Sequence, residues 1–187
     1  MGRLPHVLVL TTAHNQDLSV ALAAAFERTG VHALIDRPGR EPDAPIDVLI
    51  STQQIGEQGW LHACDSGTRA LDFLVLLLRD DPASVTEGFM ALKHLLGAQG
   101  APRGVAFLVD APSSALVARQ THRVLNRAVK NFLRLELIHS LDLDEDGETM
   151  GAAARSLARR ISVKLRLHQS VASRAPMVTR GMARASG

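Results

Sequence analysis

Short apolar runs and amphipathic stretches alternate along this chain. His6–Leu10 (HVLVL) is a β-branched run closed by polar residues, which predicts a buried strand. Residues 17–28 then place Leu18, Ala21, Leu22, Ala25 and Phe26 at helical spacing. Thr29-Gly30 supplies the stop, because glycine accepts the left-handed conformation at a helix end. Residues 31–35 predict a second strand and 46–50 (IDVLI) a third; between them Pro38, Gly39, Pro42 and Pro45 impose a loop. Residues 53–70 are broken by Gly56, Gly59 and Gly67 and predict irregular structure with a short helix near Trp60–Cys64.

Residues 72–78 (DFLVLLL) are so continuously apolar that both faces must be covered, as in a central parallel strand. A helix is expected after Asp81-Pro82, with Ser84 as its cap, Glu87 three residues on as in a capping box, and Val85, Phe89, Leu92, Leu95 and Leu96 as its buried stripe. Its end falls within 97–100. The pattern continues with a strand at 104–109, a helix at 113–132, a last strand at 133–141, an acidic loop at 142–148 and a terminal helix from Met150 to about Leu165. Such alternation predicts one doubly wound α/β domain over residues 1–168, with a mostly parallel sheet between helices and a basic, disordered tail at 169–187. Ligands of such folds sit beyond the carboxyl ends of the strands.

Composition sharpens this picture at one end of the chain. Of 21 Lys and Arg, eight lie in residues 151–187, where there is no Asp or Glu; thirteen remain against all 19 acids in residues 1–150, a net of −6. An acidic body thus carries a basic end, which suits an anionic surface or an acidic partner. Leu157, Ile161 and Leu165 recur every fourth residue among Arg155, Arg159, Arg160, Lys164 and Arg166, so a basic amphipathic helix facing a membrane or other anionic surface is one expectation. A last helix docked on the sheet is the other. Nucleic acid is not expected, because stacking aromatics are missing from this end. The single Cys64 excludes a disulfide framework, and the eight histidines form no HxH or HxxxH pair, so no metal site is expected. The start of the chain does not read as a signal peptide and no segment is long enough to span a membrane, so the expected location is cytoplasmic, with peripheral contact at the inner membrane as an option.

The run Asp81-Pro82-Ala83-Ser84-Val85-Thr86-Glu87-Gly88-Phe89-Met90-Ala91-Leu92-Lys93 resembles the (Glu/Asp)-Pro-x-Ser-(Ile/Val)-Thr-(Asp/Glu)-x-(Tyr/Phe)-Ala-Leu-(Ile/Met)-Lys segment of MinD/ParA-like P-loop proteins. The closest likeness is to the flagellar-number regulators FlhG and FleN. Val124-Leu125-Asn126-Arg127, Phe132-Leu133-Arg134-Leu135-Glu136-Leu137 and Leu143-Asp144-Glu145-Asp146 are similar to further segments of that subfamily, so the likeness in letters covers residues 72–146. It implies a MinD-like fold and, in an intact member, ATP bound on a deviant Walker A loop.

The residues that would hold the nucleotide are replaced. Residues 11–16 (TTAHNQ) contain neither glycine nor lysine, so they can form no phosphate nest and offer no ammonium to β- and γ-phosphates. Ser51 stands where the family has its Walker B aspartate, and a hydroxyl cannot supply that charge to magnesium. Asp110 stands where an asparagine reads adenine, and a carboxylate accepts hydrogen bonds without donating them. Asp36 is the one matching carboxylate, though Arg37-Pro38 follows in place of Ala-Asp.

The resemblance and these losses together imply a pseudo-ATPase without cofactor, metal or catalytic residues. Such a protein would act through protein contacts in the placement, number control or assembly of flagella or a related envelope machine, and would form no ATP-driven dimer. The expected partner surface is a negative rim at the strand ends, built from His14, Asn15, Asp36, Arg37, Asp80, Asp81 and Asp110; exposed helix faces beginning with Arg119, Arg123 and Arg127 come next. The alternative is an active NTPase or phosphotransferase with an unfamiliar nucleotide loop and Asp36, Asp80 or Asp110 on magnesium.

Overall fold

The structure, a computed structural model, describes residues 4–12, 17–36, 45–55, 71–79, 81–110, 115–135, 137–140 and 150–174. The order along the chain is β1 (His6–Thr11), α1 (Asp17–Glu27), β2 (Ala33–Ile35), β3 (Val48–Gln54), β4 (Phe73–Arg79), α2 (Pro82–Gln99), β5 (Gly104–Asp110), α3 (Ala115–Ala128) with a π-helical turn (Val129–Leu133), β6 (Leu137–Ser140) and α4 (Met150–Arg174). The strands form one six-stranded sheet in the order β2-β3-β1-β4-β5-β6. All five pairings are parallel. The doubly wound α/β domain expected from the alternation is thus present.

Helices cover both faces. On one, Leu18, Leu22, Ala25 and Phe26 of α1 and Ala154, Leu157, Ala158 and Ile161 of α4 pack on Val7, Val9, Ile50, Phe73, Val75 and Leu77. On the other, Ala91, Leu92 and Leu95 of α2 and Leu125 of α3 cover Leu8, Leu10, Leu74, Leu76, Leu78 and Phe107. Strand β4 sits between β1 and β5, and every residue of 73–78 is fully buried, which is why its sequence shows no polar alternation.

Several expected boundaries move, each for a local reason. Helix α2 begins at Pro82, not near Ser84: Asp81 is the N-cap, its carboxylate accepts the Ser84 amide at 2.8 Å, and Pro82 takes the first turn, where its missing N–H costs nothing. Ser84 is therefore inside the helix and fully buried. The buried stripe centres on Ser84, Gly88, Ala91, Leu92 and Leu95, while Val85, Phe89 and Leu96 flank it half-buried. Gly100, at φ 81°, ends the helix in a conformation open to glycine.

The expected helix over 113–132 is instead an α-helix that gives way to a π turn at Val129, closed by Arg134 in the left-handed conformation. The last strand is correspondingly short, at 137–140. Strand β3 continues through Ser51–Gln54, residues expected to leave the sheet, because they pair in register with Leu8–Thr11 of β1. Helix α4 runs on to Arg174, so residues 169–174, expected as disordered tail, are helical. The loop centred on Gly39, the short helix near Trp60, the acidic loop at 142–148 and residues 175–187 lie outside the described residues.

Candidate functional site

In this strand order the connections from β1 and β4 leave in opposite directions, so the crevice where a doubly wound fold places ligands lies between the carboxyl ends of those two strands. Thr12, just past β1, and Arg79, at the end of β4, define it. The Arg79 amide donates to Thr12 Oγ1 at 3.1 Å and to Ser84 Oγ at 2.8 Å. The two hydroxyls are also hydrogen-bonded to each other, and the Thr12 amide donates to the Leu77 carbonyl at 3.1 Å. Thr12 and Ser84 are both buried. The crevice is thus stitched together by the polar groups that line it.

A second hydroxyl pair closes the neighbouring gap. Ser19, in the first turn of α1, is hydrogen-bonded through its side chain to Thr52 of β3. The register also decides where Ser51 points. Successive side chains of a strand point to opposite faces, so if Thr52 meets α1, Ser51 must face away from it. Ser51 Oγ lies 2.8 Å from His6 Nε2 and donates toward Asp36 Oδ2 at 3.4 Å. The β3 side chain that meets α1 is Thr52, again a hydroxyl where a metal site needs a carboxylate.

Of the expected negative rim, the structure describes the side chains of Asp36 and Asp81. Asp36 follows β2 at one edge of the sheet and Asp110 ends β5, four strand spacings away, or roughly 19 Å. Asp81 spends one carboxylate oxygen on the α2 cap and turns the other toward Arg79 Nε at 3.5 Å. That ion pair is largely solvated and adds little. Asp36 and Asp81 are thus separated and differently engaged, and the backbone of Asp110 stands at the end of β5. His14, Asn15, Arg37 and Asp80, with the Asp110 side chain, lie outside the described residues. Among the described residues no group of three or more His, Cys, Asp or Glu side chains could hold a metal ion.

The basic end is docked. Leu157 and Ile161 of α4 are fully buried and Leu165 nearly so, all in the core beneath α1. The apolar stripe expected to face a membrane is therefore used inside the protein, and Arg155, Arg159, Arg160, Lys164 and Arg166 line the rest of the helix. Arg166 reaches the Thr29 carbonyl at 3.2 Å, tying α4 to the end of α1. No helix among the described residues is long and apolar enough to cross a membrane.

Neither the comparison with protein-family models nor the search of curated proteins finds a match for this chain. The parallel doubly wound sheet defines the class: an α/β domain with helices on both faces.

Proposed function

We propose that this chain is a non-catalytic regulatory or scaffold protein of the MinD/FlhG-like kind, acting through protein contacts in the placement, number control or assembly of flagella or a related cell-envelope machine. One observation carries the non-catalytic part. At the switch point the polar groups bond to one another, Thr12 to Ser84, Ser84 to the Arg79 amide and Ser19 to Thr52, where a nucleotide site would aim amides, an ammonium and a carboxylate at phosphate and magnesium. The connection after β1 contributes no glycine or lysine that could remake such a nest. The flagellar part rests on the resemblance of residues 72–146, and the parallel doubly wound sheet is compatible with it.

Deleting the gene in its own bacterium tests this reading. The expected result is a changed number or position of flagella by electron microscopy, restored by the wild-type gene. Unchanged counts, positions and swimming would overturn the flagellar assignment.

A further inference from the structure

Helix α3 presents an exposed basic face. Residues 111–135 contain Arg119, Arg123, Arg127, Lys130 and Arg134 and no Asp or Glu, whereas the rest of residues 1–150 sets eight cations against 19 acids. His122, Leu125 and Val129 turn inward and are buried. The outward side carries three large apolar side chains in water, Leu116 at 66%, Val124 at 62% and Phe132 at 77% exposure, among the exposed Arg123, Arg127 and Lys130. An open, shallow surface along this side is lined by Arg123, Val124, Arg127, Lys130, Asn131 and Phe132 among others.

The π turn accounts for Phe132. In a continuous α-helix residue 132 stands seven positions after Leu125 and three after Val129, on the buried side. Widening the last turn changes that phase, so that Leu133 packs against the core and the Phe132 ring is left outside. Turns of this kind recur at functional sites. Apolar side chains clustered in water and rimmed by charge mark contact surfaces, and arginine with an aromatic ring is a common energetic centre of such contacts.

We infer that the outward face of α3 and its π turn form a docking surface for an acidic protein segment that carries apolar side chains, such as an amphipathic helix with a Glu- and Asp-rich flank. Charge complementarity selects the sign: the cations attract and orient the acids, while Val124 and Phe132 receive the apolar side chains. The polar groups among the apolar ones select the kind of partner. Burying Asn126 and Asn131 against lipid would strip their amides of water without return. Nucleic acid fits less well, because single strands need several stacking rings and Phe132 is the only aromatic residue in 111–187. This inference names the class of partner for the function proposed above and rests on that reading only in supposing that the protein works by contact.

The test uses the full chain and a fluorescein-labelled amphipathic peptide of about 20 residues with Leu on one face and Glu on the other, followed by anisotropy. A matched peptide with Lys in place of Glu, vesicles containing phosphatidylglycerol and a single-stranded RNA are run beside it. The expected result is saturable binding of the acidic peptide alone, weakened roughly tenfold or more by Phe132→Ala and by Arg123→Glu with Arg127→Glu. Lys93→Glu, on the exposed side of α2, leaves binding unchanged, and all variants keep the wild-type melting temperature because the changed side chains are exposed. Overturning results are no binding of the acidic peptide, binding that ignores the α3 variants, or preferential capture of vesicles or RNA. The flagellar phenotype and this binding fail independently, so either can fall while the other stands.

Discussion

Replacing Gly88 by valine destabilises the protein by about 3 kcal/mol, since overpacking a closed core costs roughly 1–3 kcal/mol and a β-branched side chain adds its helix penalty. Gly88 lies in the middle of α2, where glycine is otherwise a poor choice, and a Cβ built there meets Leu78 Cδ2 at 2.5 Å and Cδ1 at 3.3 Å. Leu78 is itself fully buried in β4 and has little room to yield. Gly97 in the same helix has nothing within 4 Å, so Gly97→Ala gains up to about 1 kcal/mol from helix propensity. Urea unfolding of the two variants checks both. Equal midpoints would mean that α2 does not depend on this close approach to the sheet.

Asp72→Ala is expected to cost about 2 kcal/mol, the scale for losing hydrogen bonds to one buried carboxylate while the half-exposed Arg103 stays hydrated, or a fall in melting temperature of roughly 4–8 °C for a chain of this size. The Asp72 side chain is 3% exposed; its carboxylate meets Arg103 Nε at 3.0 Å and accepts the His6 amide at 3.1 Å. Its backbone closes the same knot, the Asp72 amide donating to His6 and the Arg103 amide to Asp72. One carboxylate therefore joins the amino ends of β1, β4 and β5. Calorimetry of Asp72→Ala beside Glu87→Ala, an exposed acid, measures the difference; matching values would show that the knot is not needed.

The sequence revealed the architecture well because the strands announce themselves. A fully covered strand such as 73–78 must be apolar throughout, and the helices between strands must carry a stripe. What it hid depends on contacts between distant residues. Ser84 reads as a cap from its neighbours alone; its use against Thr12, 72 residues away, appears only when β1 and β4 lie side by side. Gly88 looks like a weak point in a helix until Leu78 is placed beneath it. Ser51 and Thr52 are adjacent letters, and only the register of β3 decides which of them faces α1. Phe132 is the sharpest case, since helical spacing puts it inside and one widened turn puts it out. The spread of strand-end acids is hidden for a related reason: loops that follow parallel strands share an edge of the sheet, yet the strand that Asp36 follows and the strand that Asp110 ends stand four places apart.

Calorimetric titration of the full chain with Mg-ATP tests most directly the proposal that this doubly wound domain has no nucleotide site. No saturable heat up to millimolar nucleotide is the predicted result, because the β1–α1 connection has no glycine or lysine and the hydroxyls beside it are bonded to each other. Saturable binding in the micromolar range would contradict it and restore the reading as an active NTPase.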